Sequence, residues 1–159
     1  MKIVYPGTFD PFTLGHLDLV ERAVKMFEHV IVGVSENRQK SPRFSFEDRV
    51  AMAHLAVDGI KGVEVKGFSN LLVDFMRENN VRYVLRGIRG VVDFEYEFQM
   101  AQVNRTMLAD FEPVFLMPSE KYMVLSSTII RDMEYHGGDL TAFLPPAVNQ
   151  FILHEGNHE

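Results

Sequence analysis

Short apolar, β-branched runs alternate along the chain with segments in which apolar residues recur at helical spacing. The runs predict strands at residues 3–5, 30–34, 63–65, 82–85 and 114–116. The helical spacing predicts helices over residues 14–27, from a capping-box-like start at Ser45 and Asp48 through 57, and over 71–79, 91–108, 127–135 and 146–154. Strands that are apolar on both faces need cover on both sides. The pattern therefore predicts a single α/β domain over residues 1–159, with a doubly wound sheet of five parallel strands.

Composition narrows the classes of protein that this chain can be. The 159 residues include no cysteine, which excludes disulfides, thiolate zinc sites and a cysteine nucleophile. The net charge of -6 argues against sequence-independent binding to nucleic acid, although it allows a local basic pocket. No apolar run approaches the roughly 20 residues of a membrane span, and the opening apolar run is too short for a signal peptide. We expect a soluble, cytoplasmic protein that binds no membrane.

Ligands of parallel sheets bind beyond the carboxyl ends of the strands, so the segment after the first strand is the first place to look for chemistry. Gly7 is expected to permit an unusual turn there, and Thr13 is a plausible helix N-cap. Gly15 leaves the first helical turn open to a ligand, and His16 lies near free backbone N–H groups. These residues describe either an anion site or an ordinary capped turn, and the residue types alone do not separate the two.

Basic residues follow the second and fourth predicted strands. Arg38, Lys40 and Arg43 lie close together in an acidic chain, where they either gather phosphates or form a solvated loop. Arg86 and Arg89, flanked by glycines, suit bidentate contacts with phosphate oxygens. The Gly-x-x-Gly pattern at 87–90 also occurs in RNA-binding KH modules, but that signal is weak and the net charge opposes it.

Two later segments carry further candidate groups. Glu97 is expected to point near the apolar face of its helix, where a carboxylate needs a partner. That partner is either part of a functional site or a structural arginine such as Arg105. Hydroxyl groups at residues 126–128 either cap a helix or also donate to phosphate.

The string His-Glu-Gly-Asn-His at 154–158 matches a zinc-protease motif. A glycine interrupts it and the sequence ends one residue later, so we interpret it as a chance match in a tail that is frayed from about residue 155. The other histidines show no metal-ligand spacing, and the phosphate-binding Walker A and the G-x-S-x-G strings are missing.

Two motifs resemble the signatures of the nucleotidyltransferase superfamily. The segment 13–16, Thr-Leu-Gly-His, resembles its T-x-G-H signature, and 125–131 resembles I-S-S-T-x-x-R with Leu125 in place of isoleucine. The block 86–97 is more specific and resembles the bacterial phosphopantetheine adenylyltransferases. Lys40 and the segments 71–73, 104–105 and 137–139 match the same family, and the resemblance covers about residues 2–151.

The resemblance implies a Rossmann-like fold of the nucleotidyltransferase type and an activity in the penultimate step of coenzyme A synthesis. ATP and 4'-phosphopantetheine would give dephospho-coenzyme A and pyrophosphate, reversibly. Mg²⁺ is the implied cofactor, bound through phosphates rather than by side chains. Coenzyme A is the implied feedback inhibitor, and a homohexamer is the implied assembly.

The resemblance also implies roles for individual residues. Those implied to contact ATP are Thr8, Phe9, His16, Gly87, Ile88, Arg89, Glu97, Tyr122, Met123, Val124, Leu125, Ser126, Ser127 and Thr128. Those implied to hold 4'-phosphopantetheine are Thr8, Lys40, Leu72 and Arg86. Among them, His16, Lys40 and Thr8 are the candidate catalytic residues.

A direct in-line attack on the α-phosphorus of ATP fits these residues. The attacking phosphate has a second pKa of about 6, so no side chain need deprotonate it. His16 and the turn at Gly7 and Thr8 would stabilise the non-bridging oxygens, while Lys40 would orient the attacking phosphate. Arg89 and the helix start at 126–128 would hold the β- and γ-phosphates. We expect the helix terminus to lower the pKa of His16, whose neutral ring still donates one hydrogen bond.

Three other functions remain open at this point. A nicotinate-mononucleotide adenylyltransferase would share the 13–16 and 126–128 motifs but not the block 86–97. A nucleotide-binding regulatory module would keep the fold without turnover. An RNA-binding domain would use the Gly-x-x-Gly at 87–90.

Overall fold

The computed structural model describes residues 1–155, except for the side chain of Glu155. The predictions for the tail beyond about residue 155 and for the string at 154–158, of which His154 alone is fully described, lie outside the described residues. None of the helices within residues 1–155 is long and apolar enough to cross a membrane.

The five predicted strands form one parallel sheet. They are β1 (Lys2–Gly7), β2 (His29–Ser35), β3 (Val63–Phe68), β4 (Tyr83–Gly87) and β5 (Glu112–Leu116). Their order in the sheet is β3-β2-β1-β4-β5, and all four neighbouring pairs are parallel. This confirms the predicted fold class.

The helices lie where the apolar spacing predicts them. They are α1 (Leu14–Ala23), α2 (Phe46–Val57), α3 (Leu72–Glu78), α4 (Val91–Met107), α5 (Ser127–Tyr135) and α6 (Pro146–Glu155). Short 3-10 turns occur at Arg38–Lys40 and Glu120–Tyr122. Helix α1 ends before the predicted residue 27, because the N–H groups of Lys25 and Met26 bond to carbonyls three residues back and tighten the chain.

The alternation of side chains along β1 explains why the sheet is covered on both faces. Ile3 and Tyr5 belong to one buried cluster with residues of α1, α2 and α6, while Val4 belongs to another with residues of α3 and α4. The chain runs from β1 outward through β2 and β3, and then returns to the other side of β1 with β4 and β5. The direction of winding reverses at β1, so the carboxyl ends of β1 and β4 mark the expected ligand crevice.

Candidate active site

A cleft of about 990 Å³ opens at the carboxyl ends of the strands. It brings together most of the residues to which the sequence resemblance assigned a role: Thr8, Phe9, His16, Lys40, Leu72, Arg86, Gly87, Arg89, Glu97, Tyr122, Leu125, Ser126, Ser127 and Thr128. Ile88, Met123 and Val124 do not line this cleft. Their contact with ATP stays a prediction.

His16 is held in one orientation at the start of α1. Thr13 is the N-cap, as predicted, and its backbone N–H donates to His16 Nδ1 over 2.9 Å. The two residues form a capping box in which histidine occupies the place usually taken by glutamate or glutamine. Because Nδ1 accepts this hydrogen bond, a neutral ring carries its proton on Nε2. His16 is therefore a neutral hydrogen-bond donor on the wall of the cleft.

The surroundings of His16 favour the neutral ring. The rings of Phe9 and Phe12 pack against the imidazole with centroid distances of 5.0 and 5.3 Å. Burial, with a smaller contribution from the positive charge of Arg89, lowers the pKa of His16 to about 4. The sequence predicted a lowered pKa from the helix terminus, whereas desolvation is the main cause in the structure.

Acidification is expected to destabilise the protein through His16. The pKa of this histidine is 6.5 in the unfolded chain and about 4 in the folded protein, so above pH 6.5 its titration does not lower the free energy of unfolding. As the pH falls from 6.5 to 4, the unfolded chain binds a proton that the folded protein does not bind. The free energy of unfolding then falls by up to about 3 kcal/mol. Denaturant unfolding of the wild type and of His16→Gln, which keeps a capping acceptor and does not titrate, measures the effect. Parallel pH profiles for the two proteins would contradict it.

The unusual backbone of the β1–α1 turn lies at Phe9 rather than at Gly7. Phe9 has a φ of 50°, and Gly7 is the last residue of β1 with no positive φ. Gly7 is required for a different reason, since a Cβ there would lie 2.8 Å from the Phe9 ring. The expectation that Gly7 permits the turn was therefore wrong. The missing side chain makes room for the ring that packs against His16.

Asp10 joins this turn to two other segments. Its carboxylate is buried and accepts the backbone N–H groups of Arg43 and Phe44, each over 2.9 Å. Arg131 of α5 donates to the Asp10 carbonyl over 2.8 Å. The Ser127 hydroxyl donates to the Pro11 carbonyl over 3.2 Å. The start of α5 is thereby fixed against the turn that holds His16.

The hydroxyls at the start of α5 are already engaged within the protein. Ser126 is the N-cap and accepts the Ile129 N–H, so the capping interpretation is confirmed for that residue. Thr128 accepts a hydrogen bond from Arg131. All three residues, including Ser127, still line the cleft, where the positive helix terminus favours an anion. A role towards phosphate stays a prediction.

The structure separates the three cations of the β2–α2 segment. Arg38 pairs with Glu36 and Arg43 pairs with Glu134. Lys40 is exposed and lines the cleft, and its side-chain ammonium has no hydrogen bond or ion pair within residues 1–155. Of the three, Lys40 is the cation that stays available to a ligand.

Arg86 and Glu97 form a two-pronged ion pair beside the cleft. Arg86 Nε and Nη2 donate to the two carboxylate oxygens of Glu97 over 2.8 and 2.6 Å, and Nη1 donates to the Pro6 carbonyl over 3.2 Å. The alternative partner for Glu97, Arg105, pairs with Glu112 instead, so that alternative was wrong. The Glu97 side chain pairs with Arg86, and its contact with ATP, which the resemblance implied, stays a prediction.

Arg89 bridges the end of β4 to the segment before α5. It pairs with Asp93, and its Nη1 donates to the Leu125 carbonyl over 3.1 Å. Its side chain is about two-fifths exposed and lines the cleft. The guanidinium thus adds positive charge near the start of α5, where β- and γ-phosphates are expected.

Two polar residues that join segments around the site were missed from sequence. Arg49 lies on α2 and is 1% exposed, and the half-buried Asp18 on α1 accepts the Ser119 N–H and hydroxyl. Neither lies at a strand end, which was the signal used to select candidates. The available signal was a charged residue next to the apolar face of a predicted helix. That signal did not identify the groups to which Arg49 and Asp18 bond.

No group of three or more His, Asp or Glu side chains converges to hold a metal ion within the described part of the chain. The two aspartates nearest the cleft, Asp10 and Asp93, are each engaged by an arginine.

Comparison with known proteins agrees with this fold. A family model described as cytidylyltransferase-like matches residues 4–133. Among solved structures, the fold is similar to that of a Vibrio parahaemolyticus protein provisionally assigned as a nicotinate-nucleotide adenylyltransferase. The TM-score is 0.76 over 98% of this chain and 93% of the other, at 17% sequence identity.

Proposed function

The chain belongs to the cytidylyltransferase-like family of nucleotidyltransferases, and we propose that it transfers an adenylyl group from ATP to 4'-phosphopantetheine. The products would be dephospho-coenzyme A and pyrophosphate. The observation that carries this proposal is a single cleft with a fixed hydrogen-bond donor, His16, and a guanidinium, Arg86, on its wall. His16 suits the α-phosphate of a nucleotide, and Arg86 suits the phosphate of an acceptor.

The proposed reaction is one direct displacement. An ionised oxygen of the acceptor phosphate forms a bond to the α-phosphorus of ATP, while the bond from that phosphorus to the α,β-bridging oxygen breaks. Pyrophosphate leaves with the bonding electrons. The acceptor is already ionised near neutral pH, so the enzyme contributes positioning and charge stabilisation rather than a base or a nucleophile.

The side chains have complementary tasks in this proposal. His16 Nε2–H and the turn at Thr8 stabilise the non-bridging oxygens of the α-phosphate. Lys40 orients the acceptor phosphate and neutralises developing charge. Arg89 and the N-terminus of α5 hold the β- and γ-phosphates, and they thereby stabilise the negative charge of pyrophosphate as it leaves.

A small cavity supports pantetheine as the rest of the acceptor. It encloses about 90 Å³ and adjoins the main cleft, since Leu72, Arg86, Glu97 and Met100 line both. Its other walls are largely apolar: Val84, Ala101, Phe111 and Pro113, with Tyr96 and the buried Asn104 as polar members. Such a pocket suits a slender chain of methylene groups that carries an occasional amide.

Mg²⁺ is proposed to bind together with ATP. The described side chains provide no converging set of acidic ligands, and Mg²⁺ commonly binds through substrate phosphates while keeping several waters. We therefore propose that it is held by phosphate oxygens, where it would neutralise charge on the leaving group.

Nicotinate mononucleotide is the second candidate acceptor. It is supported by the fold similarity to the Vibrio parahaemolyticus protein. The Arg86–Glu97 pair and the adjoining apolar cavity favour phosphopantetheine, because a charged pyridine ring gains little from walls such as Val84 and Phe111.

A pyrophosphate-release assay tests the proposal. Purified protein, ATP and Mg²⁺ are incubated with 4'-phosphopantetheine, with nicotinate mononucleotide, or with no acceptor. We expect release only with 4'-phosphopantetheine. Release only with nicotinate mononucleotide would show that this compound, and not 4'-phosphopantetheine, is the acceptor. No release with either compound would favour a nucleotide-binding module without turnover. Labelled AMP trapped covalently on the protein would exclude direct attack.

Assembly and inhibition complete the proposal. Helix α4 exposes large apolar side chains, among them Val92, Tyr96, Phe98 and Val103, and we propose that copies of this chain cover them in a homohexamer. Coenzyme A, which resembles the product, is proposed to occupy the same cleft and inhibit. Sedimentation velocity and addition of coenzyme A to the assay measure the two properties.

A further inference from the structure

Within residues 1–155, every hydrogen bond of the Arg49 guanidinium goes to a backbone carbonyl. The side chain is 1% exposed, and it donates to the carbonyls of Phe44, Thr8, Ser35 and Glu36 over 3.2, 2.8, 2.6 and 2.8 Å. A buried cation is costly unless its donors are satisfied, and here three nitrogens of one planar group all find acceptors. Burial lowers the pKa of Arg49, as expected for a charge removed from water.

The four carbonyls belong to three separate segments. Thr8 lies in the β1–α1 turn next to His16, Ser35 and Glu36 lie at the end of β2, and Phe44 precedes α2. One planar guanidinium therefore sets the distance between the turn after β1 and the segment after β2. Lysine has no fork of donors and cannot reproduce this arrangement.

The segment 36–44 is tied to the β1–α1 turn by two further contacts. Asn37 Nδ2 donates to the Thr8 hydroxyl over 3.1 Å, and the Asp10 carboxylate accepts the backbone N–H groups of Arg43 and Phe44. Between these ties, Asn37 and Ser41 both have a φ of 44°, a left-handed conformation that needs support from its surroundings. Lys40 lies between these two residues, exposed and facing the cleft.

We propose that Arg49 is a positioning residue that acts through Lys40. It holds the β2–α2 segment at a fixed distance from Thr8 and His16, so that the Lys40 ammonium meets the phosphate of the acceptor. The role of Lys40 rests on the proposed adenylyl transfer. The ordering of the β2–α2 segment by Arg49 does not depend on that reaction.

The first test compares Arg49→Lys with Arg82→Lys, an exposed arginine at the amino end of β4. A misplacement of about 1 Å can cost up to about 100-fold in rate, so we expect Arg49→Lys to lower kcat at least about tenfold with an unchanged KM for ATP. Arg82→Lys keeps wild-type values. Circular dichroism at the assay temperature establishes that both variants are folded. A folded Arg49→Lys protein with wild-type kcat overturns the proposal.

A double-mutant cycle with Lys40→Ala distinguishes positioning from general support of the fold. If Arg49 acts through Lys40, adding Arg49→Lys to Lys40→Ala lowers kcat by less than about threefold more. If the fold-decrease in kcat of the double variant equals the product of the two single-variant decreases, Arg49 does not act through Lys40 and the proposal is overturned. Should Arg49→Lys fail to fold, the same cycle with Asn37→Gly decides in its place, because glycine accepts the positive φ and removes the side-chain tie to Thr8.

Hydrogen exchange separates this proposal from the proposed function. Peptides that cover residues 36–44 are expected to exchange at least about tenfold faster in Arg49→Lys than in the wild type. If the wild type releases no pyrophosphate, the adenylyl transfer fails while faster exchange still supports Arg49 as the residue that orders this segment. Unchanged exchange overturns the Arg49 proposal whatever the enzyme assay shows.

Discussion

Replacement of His16 by alanine is expected to lower kcat about 100- to 1,000-fold, or about 2.7–4 kcal/mol of transition-state stabilisation. The neutral ring donates from Nε2, because Nδ1 accepts the Thr13 N–H over 2.9 Å. A donor fixed in this way stabilises charge that develops on the α-phosphate in the transition state more than it stabilises bound ATP. The Kd for ATP should therefore change little, since Arg89 and the start of α5 remain. Single-turnover kinetics and calorimetric titration with ATP measure the two quantities.

Two variants provide the controls for His16. His54→Ala removes an exposed histidine on α2 and should leave kcat at the wild-type value. His16→Gln keeps an acceptor for the Thr13 N–H, so it separates loss of the cap from loss of the donor. A wild-type chemical rate in His16→Ala would remove His16 from the mechanism. A loss confined to ATP affinity would assign it to binding alone.

Replacement of Arg86 by alanine is expected to raise the KM for 4'-phosphopantetheine about 10- to 100-fold, with a smaller effect on kcat. Glu97 holds the guanidinium by Nε and Nη2, and Pro6 engages Nη1. One N–H on Nη1 and one on Nη2 have no partner within residues 1–155, so they can donate to an acceptor phosphate. The proposed contact with the phosphate would form in the bound ground state as well as in the transition state. Its loss therefore appears in KM, which steady-state kinetics with varied acceptor measures.

Arg77→Ala is the matched control, since it breaks an exposed arginine–carboxylate pair with Asp74, and neither residue lines the cleft or the small cavity. Its KM should equal that of the wild type. The double variant Arg86→Ala/Glu97→Ala identifies the cause of the effect. If the guanidinium itself binds the acceptor, the high KM persists. Recovery of KM would mean that the orphaned carboxylate of Glu97 repelled the substrate, and an unchanged KM in Arg86→Ala would refute the assignment.

The contrast between Arg86 and Lys40 shows how far sequence reasoning reached into the site. Both were identified as cations after strands, and both lie on the same cleft. Their states were not predictable, because a charge pattern does not reveal which carboxylates fold against which cations. Arg38 and Arg43 have carboxylate partners, Lys40 has none within residues 1–155, and Glu97 lies opposite Arg86 rather than Arg105.

The β1–α1 turn shows the same limit at the level of the backbone. The sequence placed the N-cap at Thr13, and the capping box in the structure confirms it, while the role of His16 as a donor to a ligand stays a prediction. It assigned the unusual conformation to Gly7, whereas Phe9 adopts it and Gly7 provides space for the aromatic ring. A glycine in the sequence indicates that a side chain is not tolerated there. It does not indicate whether the reason is an unusual backbone conformation or the space that a neighbouring side chain occupies.

By itself the sequence determined the strands and helices, the parallel sheet covered on both faces, and the strand ends at which chemistry was to be sought. These follow from local periodicity and from the need to bury apolar faces, which act over a few residues. Only the tertiary structure decided the strand order, the ion pair between Arg86 and Glu97, and the convergence of four carbonyls on Arg49. Those contacts join different strands, helices and turns, such as Arg86 of β4 and Glu97 of α4, and pairing between elements depends on the packing of the whole domain rather than on any local pattern.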